Sequence, residues 1–183
     1  MVSSLLLIAM LFQGSPQAAP KPVLDNDRIV VYDVSAPIAA QPMDAVVVSL
    51  KGTAVFVPKG VKPKIDGRSM VIDLKDVKVA PIANRSGYPL GYPRPGAKKL
   101  FENDRVIVWD NVWAPGVPTP MHFHDKDTVV VFLTDGQVKS TTLDGKAVVG
   151  SNSFGLVRFS PRDRTHTEEL VSGKARAIIT ELK

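Results

Sequence analysis

Three histidines, two of them separated by a single residue, constrain this chain more than any other feature of its sequence. His122 and His124 lie in the stretch Gly-Val-Pro-Thr-Pro-Met-His-Phe-His-Asp-Lys-Asp-Thr-Val-Val-Val-Phe-Leu-Thr-Asp-Gly, and His166 is the third histidine of the 183 residues. In an extended strand, side chains two residues apart point to the same face. The pair therefore presents two imidazoles side by side, and His166 joins them only if the fold brings its strand alongside.

The rest of the sequence is typical of a protein made of short β-strands. Segments rich in Val, Ile, Phe and Thr are separated by Thr-Asp-Gly, Leu-Asp-Gly and Ser-Gly turns, and no stretch keeps a helical period. The predicted strands are residues 28–34, 45–50, 53–57, 69–74, 105–109, 128–133, 137–142, 155–159, 165–171 and 175–182. This pattern predicts an all-β sandwich or closed barrel, with an immunoglobulin-like sandwich as one alternative.

The two halves of the sequence resemble each other. Residues 24–34, Leu-Asp-Asn-Asp-Arg-Ile-Val-Val-Tyr-Asp-Val, match residues 101–111, Phe-Glu-Asn-Asp-Arg-Val-Ile-Val-Trp-Asp-Asn, and residues 46–52 match 130–136 after a short gap. Self-similarity on this scale predicts two copies of one supersecondary unit. The gap falls where the His-Phe-His segment would lie, so we expect the first copy to bind no metal.

The segments that carry the histidines resemble the two sequence motifs of the cupin superfamily. The first motif, G-x5-H-x-H-x3,4-E-x6-G, is matched by Gly116, His122, His124 and Gly136. The second motif, G-x5-P-x-G-x2-H-x3-N, is matched by Gly155, Pro161 and His166. The departures are Asp163 at the central glycine of the second motif, Val129 (or Thr128, with the shorter spacing) at the glutamate of the first, and Leu170 at the final asparagine.

The resemblance implies a cupin jelly-roll barrel, also called a double-stranded β-helix, in two tandem copies of which the N-terminal copy is degenerate. Residues 21–80 form the degenerate copy in this interpretation, and residues 98–183 form the metal-binding cupin. The connector between them, residues 81–97, is rich in Pro and Gly and is predicted to be irregular.

The resemblance also places all three histidines at the family's metal-ligand positions. Three imidazoles are a common ligand set for a divalent transition ion, here iron, copper, zinc, manganese or nickel. Taken singly, each histidine has a simpler interpretation as a core or surface residue. Without the motif glutamate, the protein leaves the charge of the ion uncompensated, so we expect an open site that attracts an anionic or chelating substrate.

Further candidate site residues follow from the alternation of side chains along the strands. Glu168 shares a face with His166 and is the candidate fourth ligand or catalytic general base, the alternative being a surface carboxylate. The hydrocarbon side chains of Val129, Val131 and Leu133 are expected to line the substrate pocket. Arg164 is the candidate contact for an anionic substrate, although an exposed arginine is the ordinary expectation in a basic protein.

Charge and the N-terminal segment bear on the partners and the compartment. The net charge is +5, but basic residues are scattered among acidic ones, which argues against nucleic-acid binding. Residues 1–19 have an apolar core followed by small residues, as in a signal peptide, and the core is too short for a stable membrane anchor. We therefore expect an exported protein, periplasmic or secreted. The absence of cysteine excludes disulfide bonds.

The resulting functional expectation is an exported metal-dependent cupin oxygenase or oxidase that acts on a small organic substrate. The alternative is a non-catalytic module in which metal and barrel bind a sugar or another small molecule, and a third interpretation makes the metal purely structural. A homodimer is a further expectation from the Val-rich strands, although packing in the core also accounts for them.

Overall fold

The computed structural model of the chain describes residues 20–80 and 82–183, which form fourteen β-strands and no helix. The signal peptide expected at residues 1–19 lies outside the described residues. The strands are β1 (Pro22–Asp25), β2 (Ile29–Val34), β3 (Ala45–Ser49), β4 (Thr53–Val57), β5 (Ser69–Leu74), β6 (Ala97–Glu102), β7 (Val106–Trp113), β8 (His122–His124), β9 (Asp127–Phe132), β10 (Gly136–Thr142), β11 (Ala147–Asn152), β12 (Val157–Ser160), β13 (Arg164–Gly173) and β14 (Ala175–Leu182). In this part of the chain there is no helix long and apolar enough to cross a membrane.

The strands form three antiparallel sheets. The N-terminal sheet has the order β1-β2-β5-β3-β4, the histidine sheet β11-β10-β13-β8, and the central sheet β12-β9-β14-β7-β6. All ten predicted strands are present within a few residues. The four strands outside that list, β1, β6, β8 and β11, all lie at the edge of a sheet, and of these the sequence indicated only β8, as the extended segment that carries His122 and His124. Edge strands are commonly short or carry charged side chains that discourage further pairing, so their sequence signal is weak.

The histidine sheet and the central sheet face each other and enclose an aromatic core. This core contains Trp109, Trp113, Phe132 and Ile179, and Tyr92 from the connector packs with them. Tyr92 and Trp109 stack with their ring centroids 5.1 Å apart. The all-β architecture with two facing antiparallel sheets agrees with a jelly-roll barrel.

The N-terminal sheet packs on the back of the central sheet. Val31, Val46 and Ile72 of the N-terminal sheet meet Val108 and Ile178 of the central sheet in one core cluster, and all five are completely buried. Its outer face is also covered, by a second cluster that includes Val47 and Val71. The N-terminal sheet is therefore the third layer of a single packed structure.

The expected arrangement of two tandem barrels is not confirmed. Residues 22–74 form one sheet, and its order β1-β2-β5-β3 matches the order β6-β7-β14-β9 of the central sheet. The first copy has no counterpart of the histidine sheet, since the chain segment that would supply it is missing from the repeat. Burial of both faces of its sheet makes a second barrel unnecessary for stability.

The two copies exchange arginines across their interface. Arg28, just before β2, binds Asp127 of β9 and donates to the carbonyl of Lys183 at 3.2 Å. Its repeat counterpart Arg105 binds Asp44, with an N–O distance of 3.3 Å, and donates to the carbonyl of Lys75 at 3.0 Å. Each half of the repeat thus holds the end of a strand in the other half.

Candidate metal centre

The three histidines lie together because β8 pairs with β13. In this pairing His122 is opposite His166, and His124 is opposite Arg164. The ring centroids of the three histidines are 4.8, 4.9 and 5.0 Å apart, and each residue is at most 6% exposed. One ligating nitrogen from each lies within 4.8 Å of the others, and the Nε2 atoms of His122 and His124 are 3.1 Å apart.

This geometry fits a divalent transition ion. Two nitrogens that bind one ion at about 2.0–2.1 Å, with bond angles between 90° and 109°, lie roughly 2.9–3.4 Å apart. The Nε2 atom of His166 is buried and has no hydrogen-bond partner among the described residues. His122 is oriented by its Nδ1 atom, which donates to the carbonyl of Pro120 at 2.7 Å and leaves Nε2 as the ligating nitrogen. The three-histidine group could therefore hold a metal ion.

The protonation state of the three histidines also suits metal binding. Burial lowers the pKa of His122, lowers that of His124 to about 2 and lowers that of His166 to about 4. Positive charge on the nearby arginines Arg94 and Arg164 acts in the same direction. All three rings are thus neutral near pH 7, which is the form that binds a metal.

The connector, from residue 82 on, forms a strap across the two neighbouring histidines. The amide of Gly91 donates to the carbonyl of Phe123 at 2.8 Å, and the amide of Phe123 donates to the carbonyl of Pro89 at 2.8 Å. A Cβ atom on Gly91 would lie 2.8 Å from Cε1 of His124 and 3.2 Å from Cδ2 of His122. Only glycine leaves room for both rings at this position.

Three residues beyond Gly91, the strap places a charged side chain inside the site. Nη1 of Arg94 lies 3.0 Å from Nε2 of His122, while Nη2 donates to Oε2 of Glu168 at 2.8 Å. The guanidinium also lies over the ring of Tyr92. Because Nε2 of His122 is the nitrogen that points to the other two histidines, an ion bound there would take the place of this arginine hydrogen bond.

Glu168 lies beside Arg94 and His166. Its Oε2 atom accepts from Arg94 and from Nε1 of Trp113 at 2.9 Å, and Oε1 is 3.7 Å from Nε2 of His166. Burial alone would raise the pKa of Glu168, but Arg94 and the imidazoles of His166 and His122 hold it well below its usual range. The carboxylate is thus ionised, with one oxygen held and the other directed toward a candidate ligand.

A cavity of about 570 Å³ opens beside the histidines. Thr128, Val130 and Phe132 of β9 line it. The expected pocket residues Val129, Val131 and Leu133 do not: they belong to the core between the central and N-terminal sheets. β9 is buried on both faces, so its run of apolar residues gave no indication of which face points to the site.

Arg164, the fourth predicted pocket residue, does line the cavity. Its Nη2 atom donates to Oγ1 of Thr128 at 3.3 Å, and its Nε atom donates to the carbonyl of Pro161. The turn before it contains Asp163, whose φ of 63° is the left-handed conformation that favours glycine. The amide of Asp163 donates to the carbonyl of His124 at 2.8 Å, so this turn also holds the metal centre.

Fold and site together define an all-β barrel protein with a three-histidine centre suited to a metal ion. Among solved structures, a cupin domain from Bordetella pertussis Tohama I is 30% identical, and the match covers 99% of that domain and 51% of this chain, with a TM-score of 0.45. A cupin 2 conserved barrel domain protein from Leptotrichia buccalis is 14% identical, with 91% of that chain and 92% of this one covered and a TM-score of 0.46. A cupin-like protein from Thermotoga maritima is 20% identical over 65% of that chain and 46% of this one, with a TM-score of 0.38.

All three of these proteins are described as cupins or cupin-like, and the match to the Bordetella domain, at 30% identity, extends over nearly the whole of that domain. No family model and no curated protein matches the sequence.

The part of the site that the strap contributes was not predicted from the sequence. Gly91, Tyr92 and Arg94 belong to a segment whose proline and glycine content predicted only an irregular connector. The segment Gly-Tyr-Pro-Arg at residues 91–94 does not have the spacing of a metal-binding motif. Its role depends on pairing with Phe123, which lies more than thirty residues further along the chain.

Proposed function

We propose that this protein is an exported, metal-dependent cupin enzyme, an oxygenase or oxidase that acts on a small organic substrate. The observation that carries the proposal is the convergence of three neutral, buried histidines, two of which, His124 and His166, line a cavity of about 570 Å³. A cavity of this size accommodates a small organic molecule. Export is supported by the composition of residues 1–19.

His122, His124 and His166 are the proposed metal ligands. A bound iron, copper, manganese, nickel or zinc ion would supply an open Lewis-acid position and, for the redox-active metals, oxygen chemistry. We assign Glu168 the role of fourth ligand through Oε1, since that oxygen is already 3.7 Å from His166. A general-base role is less well supported, because Arg94 and Trp113 both donate to the carboxylate and its pKa is low.

Metal analysis followed by oxygen measurements tests this function. We expect protein isolated from its native compartment to contain one transition ion per chain, and metal-loaded protein to consume oxygen with a subset of small organic substrates. His122→Ala should lose both properties. Metal-replete protein that consumes no oxygen and forms no product with any substrate that it binds would contradict the proposal.

The second candidate function is a binding module without turnover. It is favoured because Arg94 and Trp113 both donate to Glu168, which makes this carboxylate a poor general base. The only other carboxylate among the described residues that line the cavity is Asp163. Stoichiometric binding without product would support this alternative, and catalytic product formation would exclude it. A purely structural metal makes a different prediction, that His122→Ala unfolds the domain instead of only removing the ion.

A further inference from the structure

The cavity has a distinct chemical character at each of its ends. Arg164, opposite His124 in the sheet, lies at the end near the metal centre. Asn152 lies at the other end, where the turn after β11 binds the backbone of Phe132. Between them, β9 presents Thr128, Val130 and Phe132 to the cavity. Four residues of strand, at about 3.3 Å each, make this wall roughly 13 Å long.

Arg164 is a partly buried cation without an ion-pair partner. Its nitrogens bind a carbonyl and a hydroxyl, and no carboxylate of the described residues lies within salt-bridge distance. Removing its charge from water costs free energy and lowers the pKa of Arg164, and the charges of Glu168 and Asp127, which do not bind it directly, offset that cost only in part. A bound anion at this end of the cavity would do so, and a guanidinium is well suited to bind a carboxylate with two parallel hydrogen bonds.

Asn152 supplies the second observation. The residue is 4% exposed, and both its Oδ1 and Nδ2 atoms are buried without a hydrogen-bond partner among the described residues. Buried amides are nearly always hydrogen-bonded, and each unsatisfied group costs about 1–3 kcal/mol. A ligand hydroxyl or carbonyl would satisfy an amide that lines the cavity.

The wall between the two polar ends is largely apolar. Val130, Phe132 and Ile179 line it from the central sheet, and Val138 lines it from the histidine sheet. Trp113 also lines the cavity and stacks on Phe132, with ring centroids 6.3 Å apart. Hydrocarbon or a flat ring in the middle of a ligand would therefore be buried favourably.

We infer that the cavity binds an elongated organic monocarboxylate, with its carboxylate at Arg164, an apolar or aromatic body along Val130 and Phe132, and a polar group at Asn152. The inference rests on the proposed function, because it names the substrate class of the same cavity. The contacts that define this ligand come from side chains and not from the metal ion, so binding of the acid can be measured on metal-free protein.

Titration with 4-hydroxycinnamate tests the inference, because this molecule has a carboxylate, a flat body and a distal hydroxyl. We expect the EDTA-treated wild-type protein to bind the acid. It should bind the neutral methyl ester at least roughly 30-fold more weakly, because the ester lacks the charge that pairs with Arg164. Arg164→Met should lose the same preference. Asn152→Ala should weaken binding of the hydroxylated acid by roughly three- to tenfold and leave cinnamate, which lacks the hydroxyl, nearly unchanged.

Arg162→Met is the matched control, because Arg162 lies on the same turn but donates to the carbonyl of Ala80 and does not line the cavity. It should bind the acid as the wild type does. If wild-type protein binds acid and ester equally, or binds neither, the inference is overturned, even when metal and oxygen consumption are present. If the acid binds selectively but no oxygen is consumed, the inference stands and the proposed enzymatic function fails.

Discussion

Nη1 of Arg94 lies 3.0 Å from Nε2 of His122, the nitrogen that points to the other two histidines. The guanidinium therefore occupies space beside the position that a metal ion would take. It is held there by Glu168, which accepts from its Nη2 atom, and by contact with the ring of Tyr92. Arg94 thus balances the charge of Glu168 in the absence of an ion and repels an ion that binds.

This relationship predicts that Arg94→Met binds metal more tightly than the wild type. Two unit charges about 4 Å apart interact by roughly 4 kcal/mol near a protein surface, so removing the guanidinium should raise affinity at least about tenfold. The metal-free variant should be less stable, by about 3–5 kcal/mol, because Glu168 loses its buried partner. Titration with Co²⁺, followed by visible absorption, measures the first effect, and urea unfolding with EDTA measures the second.

The control for this variant is Arg158→Met, which removes an arginine from the cavity wall without contacting the histidines. Its Co²⁺ affinity should equal that of the wild type. Equal affinity of Arg94→Met and the wild type would show that the arginine has no influence on the metal centre.

A second prediction concerns the contact between the strap and the histidines. Gly91→Ala places a methyl group 2.8 Å from His124 and 3.2 Å from His122, so both rings must move and the ligating nitrogens no longer converge. We expect metal affinity to fall by roughly 100-fold, since shifts in the orientation of ligands have effects of this order. The far-ultraviolet circular dichroism spectrum should keep the β-sheet signal of the wild type.

Gly150→Ala is a matched control, because the distance from its added methyl group to the nearest atom is the same as for Gly91→Ala. Its added methyl group would lie 2.8 Å from Nη1 of Arg158, which is the flexible end of a long side chain and can move away. Metal affinity should be unchanged. A Gly91→Ala variant that still binds metal as the wild type does would mean that the strap moves instead of the rings.

The exchanged arginines predict that the N-terminal sheet supports the metal centre. Asp127 accepts from Arg28 through Oδ2 and from the amide of Arg162 through Oδ1 at 2.8 Å, and it follows His124 by three residues. Arg28→Met should therefore lower both the free energy of unfolding and, by roughly tenfold, the affinity for metal. Calorimetric titration with Zn²⁺ and urea unfolding provide the two measurements.

Arg105→Met separates the two effects. Arg105 is the repeat counterpart, but it binds Asp44 of the N-terminal half, which carries no histidine. We expect a loss of stability with no change in metal affinity. If both variants change metal affinity equally, the effect is one of general stability and not of positioning by Arg28.

A fourth prediction concerns the pH dependence of stability. Burial raises the pKa of Asp73, in the middle of the N-terminal sheet, from 3.8 to about 6. Its Oδ1 atom has no hydrogen-bond partner among the described residues. The folded state thus prefers the protonated carboxyl, and this preference contributes stability below pH 4 that is lost as the pH rises from 4 to 6. Asp73→Asn should stabilise the protein by about 1–3 kcal/mol above pH 7 and have little effect near pH 4.

Urea unfolding between pH 4 and pH 8 checks this prediction. Asp33→Asn is a contrasting variant, because Asp33 lies on a neighbouring strand and accepts hydrogen bonds from Nε and Nη2 of Arg68. It should be slightly destabilising at pH 7, by about 0–1 kcal/mol for a solvent-exposed pair. A pH-independent effect of Asp73→Asn would mean that Asp73 is ionised at no cost in the folded protein.

The sequence by itself determined the local features of this protein. Alternation along β8 placed His122 and His124 on one face, and the motif around His166 indicated the strand that joins them. The central strands were predictable because they combine β-branched residues with glycine turns. Glu168 was predictable from its spacing of two residues from His166, since period-two alternation holds in a regular strand.

Only the tertiary structure decided which face of β9 lines the cavity, that Arg94 enters the metal centre, and that the N-terminal repeat forms one sheet instead of a barrel. Each of these depends on contacts between residues far apart in sequence. Val129 and Val130 are equally apolar, and the strap has no regular pattern until Gly91 pairs with Phe123. Local sequence carries no information about such packing, because the free energy that selects it comes from surfaces that meet only in the folded chain.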